Sequence, residues 1–138
     1  MTIDKIMTTN PVTVRMDDSV RHVKKLFDEH RFHHLLVTER RKLVGVISDR
    51  DLLRNLSPFV GRLGEHKRDQ AMLDRRVHQI MTRKPVVVTV ETTVHDAAAL
   101  LLQNNVSCLP VVNADMRPIG LVTWKDLVRA LLESPDAS

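Results

Sequence analysis

The sequence contains one cysteine, no tyrosine and only four glycines in 138 residues. A single thiol excludes an intramolecular disulfide and fits a reducing, cytoplasmic compartment. Aromatic residues make up 3% of the chain, too few for the stacking platforms on which single-strand nucleic-acid binders hold bases. The longest apolar run is Ala97 to Leu102, far short of the roughly 18–20 residues of a membrane-spanning helix. The N-terminus has no signal-peptide pattern. There is no glycine-rich phosphate loop, and the seven histidines lack a zinc-type spacing. Cys108 has no orienting group to make it a nucleophile beside His33 or His34. Neither a metal centre nor catalysis is expected. What is left is 43% hydrophobic and 28% charged with a formal net charge of +4, an ordinary globular composition long enough for one real core. That mild charge attracts phosphates or acidic partners without choosing between them.

What is present is one unit written twice. Ile6-Met7-Thr8-Thr9-Asn10-Pro11-Val12 returns as Ile80-Met81-Thr82-Arg83-Lys84-Pro85-Val86. Met7 to Met81, Pro11 to Pro85, Val20 to Val94 and Leu35 to Leu109 each span 74 residues. By Gly45 and Gly120 the spacing is 75, so the second copy has gained a residue in its central turn.

Each copy reads as β-α-β-β-α. After the proline comes a short β-rich run, Val12 to Val14 or Val86 to Val90. Asp17, Asp18 and Ser19, or Thr92 and Thr93, are helix caps. The helix that follows has apolar positions Val20, Val23, Leu26 and Phe27, or Val94, Ala97, Ala98, Leu101 and Leu102. Two strands joined by a polar turn come next, Leu35 to Val37 and Leu43 to Ile47, or Leu109 to Val112 and Ile119 to Val122. A last helix runs from Asp51 to about Leu56, or from Asp126 to about Leu132. Its second copy, mostly apolar, suits packing across a dimer better than a DNA groove. The organisation is therefore repeat 1 over 1–57, a connecting segment over 58–75, repeat 2 over 76–133 and a tail over 134–138. The connecting segment is punctuated by Pro58, Gly61 and Gly64 and carries a basic set, Arg62, Lys67, Arg68, Arg75 and Arg76.

The segments Gly45-Val46-Ile47-Ser48-Asp49-Arg50-Asp51 and Gly120-Leu121-Val122-Thr123-Trp124-Lys125-Asp126 carry the chemistry. Each is a strand, a hydroxyl, a cation and a carboxylate at a helix start. A carboxylate accepts two hydrogen bonds from the vicinal hydroxyls of a ribose, and a helix N-terminus with a hydroxyl suits a phosphate. Arg50 and Lys125 add the cation. The same spacing is also a capping box that satisfies helix N–H groups with no ligand. One residue set serves both uses.

Together these motifs resemble the CBS domain pair, the Bateman module named for cystathionine β-synthase. The resemblance runs from about Ile3 to Leu132. It rests on Ile-Met-Thr-x-x-Pro-Val, on His-His-Leu-Leu-Val and Ser-Cys-Leu-Pro-Val, and on Gly-x-x-[Ser/Thr]-x-x-Asp-Leu, each in order and each twice. It implies an α+β pseudo-twofold pair of repeats with two clefts for an adenosine-containing ligand: AMP, ADP, ATP or S-adenosylmethionine. By that likeness Thr123 and Asp126 would share a cleft with Thr8, Thr13, Phe32, His33 and His34. Ser48 and Asp51 would share the other with Thr82, Val87, Val106, Ser107 and Cys108. The implied role is a free-standing, non-catalytic regulatory module of the energy-sensing kind, a homodimer acting on a partner protein in trans, with no membrane and no nucleic acid. The alternative is a ligand-free interaction scaffold in which both aspartates only cap helices.

Overall fold

The structure is a computed structural model that describes residues 1–56 and 67–133, with the backbone alone for 67–69. Pro58, Gly61, Arg62, Gly64 and the tail over 134–138 lie outside the described residues, as do the side chains of Lys67 and Arg68. In chain order the strands are β1 (Thr8–Thr9), β2 (Thr13–Arg15), β3 (His34–Glu39), β4 (Lys42–Ser48), β5 (Thr82–Arg83), β6 (Cys108–Val112) and β7 (Pro118–Thr123). The helices are α1 (Val20–Glu29), α2 (Asp49–Asn55), α3 (Lys67–Leu73), α4 (Val94–Asn104) and α5 (Trp124–Glu133). Short 3-10 turns at Ile3–Lys5 and Val77–Gln79 precede β1 and β5.

The chain forms two compact units, and the division does not follow chain order. One unit holds 12–40 and 44–83; the other holds 1–11, 41–43 and 84–138. The lead-in turn of each sequence repeat therefore folds with the strands of the other repeat.

In the first unit the sheet order is β2-β3-β4-β5, with β2 parallel to β3 (Val14 opposite Val37) and β5 antiparallel to β4 (Thr82 opposite Val46). Ser19 caps α1 by accepting from the His22 N–H at 3.1 Å. The core joins Val14, Val23, Leu35, Val37 and Ile47 to Val77, Ile80 and Met81. The last three come from the lead-in of repeat 2. The β3–β4 turn is Arg40-Arg41, with φ of 51° and 69°, the two-residue geometry that Asn-Gly usually supplies.

In the second unit the order is β1-β7-β6. Thr8 lies opposite Leu121, and Cys108 opposite Thr123. The core repeats the first position by position: Val88, Ala97, Leu109, Val111 and Val122, closed by Ile3 with Ile6 and Met7 packed against it. Pro110 sits inside β6 without loss, because its carbonyl turns away from β7 to accept from the Val88 N–H at 3.0 Å. The hairpin turn is longer here, with the Asn113 side chain accepting from the Asp115 and Arg117 N–H groups. This is the inserted residue expected from the change of spacing.

Two expectations need correction. The strand over Val86 to Val90 is reduced to one bridge, Val88 with Val111. Pro85 has no N–H to extend it backwards, and the Thr89 N–H is taken by the Thr92 hydroxyl at 3.2 Å. Leu102, read as part of the buried face of α4, is 84% exposed. Ala97 and Leu101 fill that face, and Leu102 falls one residue beyond it.

Candidate functional site

The repeated hydroxyl–carboxylate turns have nearly the same geometry. In the first unit the Ser48 N–H donates to Asp51 Oδ2 at 2.9 Å, and the Asp51 N–H donates back to Ser48 Oγ at 3.1 Å. In the second the Thr123 N–H donates to Asp126 Oδ2 at 2.9 Å, and the Asp126 N–H to Thr123 Oγ1 at 3.4 Å. Both aspartates are thus helix caps, each held in one rotamer by its own turn. Asp126 is buried and carries further donors: the Thr123 hydroxyl at 3.2 Å and Arg129 Nη1 at 3.3 Å. Sequence reasoning missed Arg129, although the Asp126–Arg129 spacing of i,i+3 was its signal.

The lead-in threonines arrive beside these turns. Thr82 lies on β5 opposite Val46, two residues before Ser48, and Thr8 lies on β1 opposite Leu121, two residues before Thr123. The family resemblance groups Thr82 with Ser48 and Asp51, and Thr8 with Thr123 and Asp126; the strand pairing places each threonine on the strand next to its turn. Arg50 and Lys125 are exposed at the corresponding helix starts. Lys125 Nζ stands 6.0 Å from the ring centroid of Trp124.

The middle-strand residues divide between the units. Thr13, Phe32, His33 and His34 belong to the first, with Thr13 opposite Leu36. The Phe32 ring meets Phe27 edge-on with centroids 5.8 Å apart and stacks on His30 at 5.1 Å. His33 Nδ1 lies 2.8 Å from Asp49 Oδ2, and the Asp49 N–H donates to the His33 carbonyl at 3.0 Å. Val87, Val106, Ser107 and Cys108 belong to the second unit. There the Trp124 N–H donates to the Ser107 carbonyl at 3.4 Å, repeating the Asp49–His33 backbone bond. Cys108 is buried and reduced, and Trp124 is half exposed. Among the described residues no group of histidine, cysteine and carboxylate side chains is placed to hold a metal, and no helix is long and apolar enough to cross a membrane.

His34 begins β3 and is partly buried. Burial pushes its imidazole below the ordinary value near 6.5, Asp49 and Asp51 oppose the shift, and His33 adds to it. Below about pH 6.5 the unfolded chain takes up a proton that the folded chain resists, so stability rises with pH in that window. Stability from this group is complete above about 6.5 and is lost as the pH falls through the lower folded value. Urea unfolding between pH 7.5 and pH 5 should show the decline, and His34→Gln should flatten it. An unchanged slope in that variant would assign the pH dependence to other groups.

The comparisons with known proteins agree with this architecture. The sequence model of the CBS domain matches residues 3–58 and again 77–133. An uncharacterised protein of Methanocaldococcus jannaschii is 31% identical over 96% of this chain and 92% of its own length. A CBS domain-containing protein of Dictyostelium discoideum is 32% identical over 95% and 91%. The crystal structure of Arabidopsis thaliana CBSX2 in complex with AMP superposes with a TM-score of 0.80 at 35% identity, covering 97% of this chain and 98% of that one. Two capped hydroxyl–carboxylate turns, two matching cores and two family matches in one chain make it a member of the CBS domain family.

Proposed function

We propose that the chain is a non-catalytic regulatory module that binds an adenosine-containing ligand: AMP, ADP, ATP or S-adenosylmethionine. One observation carries the reading. A carboxylate fixed by its own turn, with a threonine strand beside it and a helix start below, occurs in both units. In this reading Asp51 or Asp126 accepts the ribose hydroxyls, and the helix N–H groups with Arg50 or Lys125 meet phosphate. Likeness to an AMP complex supports the adenosyl class.

The module works in the cytoplasm as a homodimer and acts on a partner protein. Val128, Leu131 and Leu132 on α5 are exposed apolar side chains and support self-association. A ligand with unequal affinity for two dimer geometries shifts their populations.

The reciprocal capping bonds favour a second reading, an interaction scaffold in which both aspartates only cap. Calorimetric titration with AMP, ADP, ATP, GTP and S-adenosylmethionine separates the two. Asp51→Ala or Asp126→Ala should abolish binding at its own site and cost the fold about 1 kcal/mol as a lost cap. A ligand at 100 times its Kd should raise stability by about 2.7 kcal/mol. If no adenosyl compound binds and both variants only melt lower, the scaffold reading replaces the sensor.

A further inference from the structure

The two hydroxyl–carboxylate turns differ in how much of each carboxylate is already in use. An ionised carboxylate has two oxygens and room for about four donors. Asp51 accepts on Oδ2 from the Ser48 N–H at 2.9 Å, and no other donor among the described residues reaches its carboxylate. Asp126 accepts on Oδ2 from the Thr123 N–H at 2.9 Å and the Thr123 hydroxyl at 3.2 Å. Its Oδ1 accepts from Arg129 Nη1 at 3.3 Å. Access differs in the same sense: Asp51 is half-buried, whereas Asp126 is buried with the exposed Arg129 standing on it.

Residue type is not the cause, because Arg54 follows Asp51 by three residues just as Arg129 follows Asp126. The helices differ instead. Arg129 lies in the middle of α5, which continues to Glu133, and a long side chain there folds back over the i−3 position. Arg54 lies in the last turn of α2, which ends at Asn55, where an arginine is drawn to the free carbonyls of the helix end.

We propose that only the Asp51 turn takes the adenosyl ligand, and that Arg129 withholds the Asp126 turn from it. A ribose brings two vicinal O–H donors to one carboxylate. Asp51 keeps about three acceptor positions for them and Asp126 about one. A ribose at Asp126 must displace Arg129, exchanging one charge-assisted bond for another with little gain. This inference rests on the regulatory-module reading and says which of its two turns is open.

Calorimetric stoichiometry with AMP, ADP, ATP and S-adenosylmethionine, all of which carry the ribose diol, tests it. The wild type should bind one equivalent, and Asp51→Asn should abolish that binding. The 2′-deoxy forms of AMP and ATP should bind the wild type about tenfold more weakly or worse, as loss of a hydrogen bond to a charged group requires. That comparison needs no variant. Arg129→Ala, exposed and favourable in a helix, should add a second equivalent. Adding Asp126→Asn to Arg129→Ala should remove that second equivalent again. Two equivalents on the wild type, a single site that survives Asp51→Asn, deoxy forms that bind equally, or no gain in Arg129→Ala would each overturn this inference and leave the adenosyl reading standing. If no adenosyl compound binds the wild type, both fall.

Discussion

Ile3→Ala is expected to cost about 2–5 kcal/mol of stability, the range for truncating a fully buried isoleucine. Nothing about a third residue from the N-terminus suggests so large an effect. Yet Ile3 has no exposed surface and packs in one core with Val88, Leu109, Val111 and Val122. Its backbone is fixed as well: the Ile3 N–H donates to the Thr92 carbonyl at 2.9 Å, and the Val94 N–H to the Met1 carbonyl at 2.9 Å. The lead-in of repeat 1 is thereby attached to the start of α4. Urea denaturation gives the loss, and amide exchange gives its place. Protection should fall in β6 and β7 before it falls in β3. The neighbouring exposed Lys5→Ala should stay within about 0.5 kcal/mol. A loss below about 1 kcal/mol for Ile3→Ala would mean that the lead-in does not close the second core.

Gly45→Ala is the second large effect, expected at about 1–3 kcal/mol through overpacking. A methyl group at Gly45 would meet the Met81 sulfur at 2.7 Å and the Thr82 carbonyl oxygen at 2.8 Å. The sulfur belongs to a flexible side chain and can move; the carbonyl is part of β5 and cannot without breaking the ladder. At Gly120 the corresponding distances are 2.6 Å to the Met7 sulfur and 3.1 Å to the Thr8 carbonyl oxygen. There the methionine must move, and the Thr8 carbonyl need yield only by a few tenths of an ångström. Removing a glycine also restricts the unfolded chain, a gain of about 0.4–1 kcal/mol. That gain largely offsets the strain at Gly120 but not at Gly45. The unfolding midpoint should therefore fall clearly for Gly45→Ala and little for Gly120→Ala. Equal losses would show that methionine displacement, not the β5 backbone, sets the cost. β5 is also the strand that carries Thr82, opposite Val46 of β4. The missing side chain at Gly45 thus leaves room for β5 to pair with β4.

Much of this was legible in the chain. The caps Ser19, Ser48 and Thr93 were readable because capping is local: a hydroxyl at one position meets an N–H three residues on. The strands around Leu35 and Leu109 were readable because buried strands are continuous apolar runs. The failures were equally physical. Leu102 matched the period of α4 but passed the edge of the buried stripe, and only the packing of α4 shows where that stripe ends. The Val86 to Val90 run had strand composition, but its partners were consumed by a proline and a threonine turn.

The sequence by itself determined the repeat, its β-α-β-β-α order, the capped hydroxyl–carboxylate turns and the family. Each of these is written in spacings of a few residues or in one long register. The tertiary structure settled which lead-in joins which unit, a pairing that the family resemblance implied and local spacing did not, because a two-residue strand pairs equally well with either copy of a repeated partner. It also decided that Asp126 is held by Arg129 and that His33 is held by Asp49. Local patterns fix local hydrogen bonds. Which surface meets which depends on side chains that come together only when the chain is folded.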